Sequence, residues 1–187
     1  MTEAEYKGWN IPNLLSLFRI GVVPVLIIVL LSPGRILSVF SALLFSVASI
    51  TDWLDGYIAR RYNAVSSVGK FLDPLADKIL ISTCLIMLVS LNRVPAWMVA
   101  LIICREMIIT GIRSIAVTEG IMVEVSKMGK YKTFFQIAAI IGLLLHYPFW
   151  GIDFQTVGGI LIWIAFVLTI WSGTKYLLKF LEKLKRR

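Results

Sequence analysis

Six long apolar runs with few charged residues constrain the fold of this chain more than any other feature of its sequence. Each is close to the ~20 residues that an α-helix needs to cross a bilayer. The chain is 58% hydrophobic, whereas an ordinary soluble domain is about 45–50% apolar. The sequence therefore predicts an all-α integral membrane protein in which residues 1–187 form one membrane-embedded domain. The six predicted transmembrane helices cover residues 11–31, 36–58, 75–91, 95–117, 134–149 and 157–178.

The basic residues are distributed unevenly between the two sides of this predicted bundle. If successive connections alternate sides, only Arg35 and Arg93 of the 19 Lys and Arg residues fall outside. Because cytoplasmic segments are enriched in Lys and Arg, both termini are expected to face the cytoplasm. The most polar connections, residues 60–70 and 118–132, lie on that side, which places the chemistry there. Residues 2–10 form either a short interfacial helix or a frayed terminus.

The net charge of +8 also bears on the binding partners. A cytoplasmic collar of basic residues is suited to membrane lipids with anionic headgroups and to phosphorylated substrates. No nucleic-acid-binding motif accompanies the charge, so nucleic acid is not expected as a partner.

Four of the five aspartates in the chain are crowded into 26 residues at the ends of two apolar runs. An unpaired carboxylate in hydrocarbon costs several kcal/mol, so such a cluster needs cations. Oxygen ligands without His or Cys favour Mg²⁺ or Mn²⁺, and two such ions between four carboxylates are typical of phosphoryl transfer. The candidate metal ligands are Asp52, Asp55, Asp73 and Asp77.

The spacing of this cluster is helical. Asp52, Asp55 and the nearby small and basic residues fall within an arc of roughly 140° at 100° per residue. Gly56 and Ala59 leave room for a flat group to approach the helix backbone, and the guanidinium of Arg60 can bind a phosphate. Asp73 and Asp77 follow on a second stripe, although Pro74 leaves open whether Asp73 lies within the helix or caps its start. A hairpin is expected to bring the two stripes together. The non-acidic members of the stripes are Gly56, Ala59, Arg60 and Gly69.

A second candidate site is basic. Arg105 and Arg113 are eight residues apart in the fourth predicted helix, and Lys130 and Lys132 precede the fifth. Together they are predicted to form a cup for a phosphate monoester, which carries nearly two negative charges. The alternative for Arg105 is an ion pair with Glu106 or with one of the aspartates. The alternative for the lysines is the enrichment of basic residues on the cytoplasmic side.

The pattern Asp52-x2-Asp55-Gly56-x2-Ala59-Arg60-x8-Gly69-x3-Asp73-x3-Asp77 resembles the signature of the CDP-alcohol phosphotransferase family at every defined position. The resemblance implies that the first three aspartates bind two metal ions, and that Asp77 binds metal or deprotonates the acceptor alcohol. It also implies a set of CDP-binding residues. This set includes the hydroxyl of Ser66, between the second and third predicted helices, and Pro12 and Asn13 at the start of the first. That set is Pro12, Asn13, Gly56, Ala59, Arg60, Ser66 and Gly69.

Three further segments resemble the bacterial members of this family that use sn-glycerol 3-phosphate as acceptor. They are residues 10–13 with Arg19, residues 105–113, and residues 129–133. This resemblance implies CDP-diacylglycerol as the donor, phosphatidylglycerol phosphate and CMP as products, and a multi-pass homodimer in the bacterial cytoplasmic membrane. Other acceptors stay open: inositol phosphate, serine or a second lipid. A small ion or metal transporter is a remote alternative, because a cation pathway gains nothing from Arg60 on the metal-binding face.

Overall fold

The computed structural model describes residues 11–32, 34–62, 67–119, 127–149 and 151–185, and within them the side chains other than those of residues 11–13, 52–62, 67–73, 127 and 130. This described part contains six α-helices and one two-stranded antiparallel sheet. The helices are α1 (Ile11–Leu31), α2 (Arg35–Tyr62), α3 (Ser67–Ser90), α4 (Ala96–Thr118), α5 (Lys127–Leu145) and α6 (Phe154–Lys185). The strands are β1 (Pro148–Phe149) and β2 (Ile152–Asp153).

Several helices extend beyond the apolar runs at their polar ends. α2 continues to Tyr62 and α3 begins at Ser67, so the polar connection predicted over residues 60–70 is wrong at both ends. α5 begins at Lys127, inside the connection predicted over residues 118–132. The reason at α2 and α5 is physical: an apolar run ends where charge begins, whereas Lys and Arg are good helix formers and let the backbone hydrogen bonding continue.

The first compact unit comprises Met1–Leu88 and Leu144–Tyr147, and in it α1 packs against α2. Each helix buries one face, as the 3.6-residue period requires. The buried positions on α1 include Val22, Leu26 and Leu30, and those on α2 include Ala42, Phe45 and Ala48. α3 has a buried stripe of its own at intervals of four residues, formed by Ala76, Leu80, Cys84 and Leu88.

The second compact unit comprises Val89–Leu143 and Pro148–Arg187, and in it α4 packs against α6. The buried stripe of α6 consists mostly of small side chains, which lets a neighbouring helix approach its backbone closely. This stripe consists of Gly158, Ile162, Ala165, Thr169, Ser172, Gly173, Tyr176 and Phe180.

A β-hairpin, which the hydropathy pattern does not predict, precedes α6. Pro148 pairs with Asp153 and Phe149 with Ile152. Gly151 in the turn has φ +78°, a conformation that favours glycine. Asp153 then caps α6, because its carboxylate accepts hydrogen bonds from the Gln155 backbone N–H and the Thr156 hydroxyl. The fifth predicted span therefore ends at Leu145 and not at residue 149.

Two helices in the described part are long and apolar enough to cross a membrane: Leu14–Leu31 within α1, and α6. α6 has 32 residues, which at 1.5 Å per residue gives a length of about 48 Å. That exceeds the ~30 Å of a hydrocarbon core. One end of α6 would therefore extend past the hydrocarbon if the helix spans a bilayer, and Lys183 and Lys185 lie in its last turn.

Two adjacent glycines of α6 have different surroundings and provide a matched test of helix packing. A Cβ added to Gly158 would lie 2.7 Å from the Leu143 backbone nitrogen and 2.9 Å from the Gly142 carbonyl carbon, whereas Gly159 has no such neighbour within 4 Å. Since backbone atoms cannot turn aside, Gly158→Ala is expected to lower the free energy of unfolding by about 1–3 kcal/mol. Gly159→Ala is expected to be neutral or slightly stabilising. Thermal unfolding in detergent measures both, and equal melting temperatures would contradict the packing.

Candidate active site

The four signature aspartates lie on two consecutive helices of the first unit. Asp52 and Asp55 are in the C-terminal part of α2, and Asp73 and Asp77 are in α3. Pro74 lies inside α3, so Asp73 is a residue of the helix interior and not the cap at its start. Only residues 63–66 separate the two helices, so the ends of α2 and α3 are at most about 18 Å apart. The helical placement of both stripes is as predicted.

Asp77 is the one signature aspartate whose side chain is described. It is partly exposed and directly follows Ala76, which is fully buried in the stripe of α3. Among the described side chains, no group of three or more His, Cys, Asp and Glu residues lies close enough to hold a metal ion. The side chains of Asp52, Asp55 and Asp73 lie outside that set. Metal binding by the four aspartates stays a prediction.

The predicted CDP-binding residues are placed by their backbone. The described backbone puts two of them in the first turn of α1, three in α2 and one in α3, while Ser66 lies outside the described residues. Those six are Pro12, Asn13, Gly56, Ala59, Arg60 and Gly69. Their side chains are not among those described, so their roles remain predictions.

The guanidinium of Arg105 is held from two sides within the second unit. Its Nη1 donates to Glu106 Oε1 at 3.1 Å, and its Nη2 donates to the Ser172 hydroxyl oxygen at 2.8 Å. Ser172 in turn donates to the Thr169 carbonyl oxygen at 3.2 Å, which fixes the hydroxyl on α6. A Cβ on Gly173 would lie 2.6 Å from Arg105 Nε, so the side chain passes where α6 has no side chain of its own. The predicted alternative, an ion pair with Glu106, is therefore present in the structure.

The carboxylate of Glu106 joins two of the predicted cations. Its Oε1 atom accepts hydrogen bonds from Arg105 on α4 and from the Lys132 ammonium on α5. The three side chains are mostly buried, with exposed fractions of 14% for Arg105, 23% for Glu106 and 8% for Lys132. These three largely desolvated side chains together carry a net charge of +1, which is an arrangement able to attract an anion.

Arg113 and Lys130 are the other two residues of the predicted basic cup. Arg113 is exposed on α4, and its guanidinium carbon is 5.9 Å from the centre of the Tyr176 ring on α6, within range of a cation–π interaction. Lys130 is in the first turn of α5, and its side chain is outside the described set. The structure thus brings Arg105 and Lys132 together, and it places Arg113 against an aromatic ring.

Sequence reasoning missed the residues of α6 that position these cations. Ser172, Gly173 and Tyr176 are all buried on one face of that helix. A stripe of small and polar residues inside an apolar run does indicate a close helix contact. Nothing in the sequence says that the contact is with Arg105, which is 67 residues away from Ser172.

Gly173→Ala is expected to disturb Arg105 more than it disturbs the fold. The new Cβ would lie 2.6 Å from Arg105 Nε and 3.0 Å from Arg105 Cγ, so the Arg105 side chain must shift, whereas no backbone atom is met. A displacement of about 1 Å in a substrate-positioning group can reduce activity up to about 100-fold. We expect kcat/KM for the acceptor to fall about 10- to 100-fold, with little change in the melting temperature. Gly111→Ala on α4, where no such neighbour lies within 4 Å, is the matched control. Unchanged kinetics in Gly173→Ala would contradict the positioning of Arg105 by α6.

Comparison with known proteins identifies the family. The family model described as CDP-alcohol phosphatidyltransferase matches residues 9–171. A protein of Bacillus subtilis (strain 168) is 43% identical over 95% of this chain and 98% of its own length. A protein of Rickettsia felis is 43% identical over 89% of this chain and 93% of its own. One of Salmonella typhimurium is 38% identical, with 90% and 93% covered. All three are named CDP-diacylglycerol–glycerol-3-phosphate 3-phosphatidyltransferase. This chain belongs to the CDP-alcohol phosphatidyltransferase family.

Proposed function

We propose that this chain transfers the phosphatidyl group from CDP-diacylglycerol to sn-glycerol 3-phosphate, giving phosphatidylglycerol phosphate and CMP. The observation that carries the proposal is its similarity, over nearly its whole length, to relatives that bear this one activity in their names. Two features of the chain itself support it: the complete aspartate signature, and the cluster of Arg105, Glu106 and Lys132, which carries a net positive charge.

The four aspartates fit a pair of hard divalent cations. Their donors are carboxylate oxygens alone, the ligands that Mg²⁺ and Mn²⁺ prefer. The uninterrupted course of α3 through Pro74 keeps Asp73 and Asp77 four residues apart on one helical stripe. We assign two Mg²⁺ or Mn²⁺ ions to Asp52, Asp55, Asp73 and Asp77. When bound, such ions neutralise the pyrophosphate and stabilise the charge on the departing CMP.

The CDP-binding residues orient the donor, whose acyl chains stay in the lipid of the inner leaflet. Gly56 and Ala59 of α2 leave the helix surface bare enough for a nucleotide, and Arg60 is a positive partner for its phosphates. Pro12, Asn13, Ser66 and Gly69 complete the assignment.

The chemical step is a single displacement at phosphorus. The primary hydroxyl oxygen of glycerol 3-phosphate forms a bond to the lipid-bearing phosphorus as the bond from that phosphorus to the CMP oxygen breaks, and CMP leaves with the electron pair. Asp77, which is partly exposed, accepts the hydroxyl proton as a general base. No covalent enzyme intermediate is needed.

The basic residues of the second unit bind the phosphate of the acceptor. Arg105 and Lys132 supply two adjacent cations, and Arg105 is already fixed by Ser172. An arginine fork suits two oxygens of one phosphate. Arg113 and Lys130 are assigned to the same role from their sequence positions.

The wider organisation is part of the proposal. Six spanning helices, with both termini in the bacterial cytoplasm, put the active site on the cytoplasmic face of the cell membrane. Residues 1–187 act as one domain, since the family match at residues 9–171 runs through both compact units. The family resemblance suggests a homodimer. Nucleic acid is not proposed as a partner, because the sequence contains no nucleic-acid-binding motif.

A panel of acceptors tests the proposal. Purified protein in detergent is given CDP-diacylglycerol and Mg²⁺ or Mn²⁺, and CMP release is measured with glycerol 3-phosphate, inositol phosphate, serine or no acceptor. We expect release that depends on glycerol 3-phosphate. Release with another acceptor alone would keep the aspartate site but overturn the acceptor, and no release with any acceptor from folded protein would overturn the proposed chemistry.

A further inference from the structure

We propose that Glu106 is a resident anion that the acceptor's phosphate displaces from Arg105 and Lys132, so that Glu106 is a positioning residue that sets how tightly this site holds phosphate monoesters. The inference rests on the proposed function, in which those two cations bind the phosphate of glycerol 3-phosphate.

The contacts of the trio are those of a site held ready by an internal counter-ion. One carboxylate oxygen, Glu106 Oε1, accepts from both cations. Two largely buried cations repel each other and carry a desolvation cost, and the Glu106 carboxylate contributes to offsetting both. Arg105 has a second anchor in Ser172 on α6. Glu106 therefore keeps the cations together, while the Arg105 anchor does not depend on the carboxylate.

Glu106 is the member of the trio best placed to withdraw. Its side chain is less enclosed by protein than those of Arg105 and Lys132, so the carboxylate can change rotamer with the fewest packing contacts to break. Its backbone carbonyl is meanwhile held by the Thr110 hydroxyl at 2.7 Å. A phosphate monoester carries nearly two negative charges and offers three acceptor oxygens, so it competes well for both cations.

Charge balance gives Glu106 a second effect, on release. The three side chains and a phosphate dianion together sum to a charge of about −1, and removing the Glu106 charge makes that sum one unit more positive. The product keeps the same phosphate monoester as the acceptor, so a site that bound this group too tightly would release the product slowly. By pairing again with the cations, Glu106 favours departure of the product.

Glu106→Gln is the direct test, with inorganic phosphate as the probe. The variant keeps the shape of the side chain and removes its charge. We expect the inhibition constant of inorganic phosphate, in competition with glycerol 3-phosphate, to fall about tenfold, because one opposing charge is gone from a partly screened site. KM for glycerol 3-phosphate and kcat are expected to fall together, as slow product release requires. Glu106→Asp keeps the charge and is expected to restore values near those of the wild type.

A binding measurement that does not require catalysis tests the inference even if Glu106→Gln has low activity or stability. We expect inorganic phosphate to raise the melting temperature of Glu106→Gln more than that of the wild type, because phosphate replaces the missing anion. Glu119→Gln, a matched change at the exposed end of α4, is expected to behave like the wild type.

Two results would overturn the inference, and only the second would also overturn the proposed acceptor site. If phosphate competes with glycerol 3-phosphate in the wild type, but Glu106→Gln binds it no more tightly and has a higher KM, then Glu106 is only a structural ion-pair partner and the proposed acceptor site survives. If phosphate fails to compete in the wild type, the assignment of Arg105 and Lys132 to the acceptor fails, and the inference fails with it.

Discussion

Asp77→Asn is expected to abolish phosphatidyl transfer while leaving CDP binding largely intact. The amide has nearly the same shape as the carboxylate but cannot take the proton of the acceptor hydroxyl. Loss of a general base typically reduces a rate by about 10²–10⁴-fold. Asp77 is partly exposed on α3, and the amide occupies nearly the same volume as the carboxylate, so the substitution creates no cavity. CMP release measures the chemical step, and equilibrium binding of CDP measures the nucleotide site separately.

The control for this variant is the same change at another exposed aspartate. Asp153 in β2 caps α6, so Asp153→Asn is expected to cost at most about 1 kcal/mol of stability and to retain activity, since Asn is also a good N-cap. Full activity in Asp77→Asn would remove Asp77 from the role of base. Loss of CDP binding in that variant would instead assign Asp77 chiefly to holding the metal ions and the nucleotide.

Arg105→Lys is expected to produce the second large effect, and on the acceptor alone. Lysine keeps the positive charge but lacks the planar fork that donates to Ser172 while it also binds an anion. Charge-assisted hydrogen bonds contribute about 1.5–3 kcal/mol each. We therefore expect kcat/KM for glycerol 3-phosphate to fall about 100-fold, chiefly through KM, while KM for CDP-diacylglycerol changes little. Steady-state kinetics with each substrate varied in turn separates the two constants.

Arg35→Lys provides the matched control, because Arg35 is an exposed arginine at the start of α2. It is expected to leave both KM values unchanged. If Arg105→Lys raised the two KM values equally, Arg105 would serve the stability of the unit rather than the acceptor. A large fall in melting temperature accompanied by the same kinetic loss would lead to the same conclusion.

Hydropathy predicted the number and order of the helices well, because apolar helices repeat a simple composition. α1 has the predicted bounds, and α4 differs from its prediction by one residue at each end. The prediction failed where helices continue through charged sequence, as at Tyr62 in α2 and Lys127 in α5. Charge marks the edge of an apolar run but does not end backbone hydrogen bonding. The β-hairpin before α6 was also missed, because strands of two residues leave no periodic pattern.

The candidate site was predictable only where its residues are close together in the sequence. The aspartates of α2 and α3 repeat at helical intervals, so their sharing of helical stripes follows from the sequence alone. The basic site is different. The sequence left Arg105 between an ion pair and a phosphate ligand, and the structure shows the ion pair with Glu106. Ser172 and Gly173 lie on a distant segment, and their contact with Arg105 exists only after α4 packs against α6.

Identification of the lipid product is the measurement that tests the proposed activity most directly. Purified protein is incubated with CDP-diacylglycerol, isotopically labelled glycerol 3-phosphate and Mg²⁺, and the lipid extract is analysed by mass spectrometry, with Asp77→Asn run in parallel. We predict labelled phosphatidylglycerol phosphate, formed in equal amount to the CMP released, and none from the variant. CMP released without any labelled lipid, or labelled lipid formed equally well by Asp77→Asn, would contradict the proposed transfer and its proposed base.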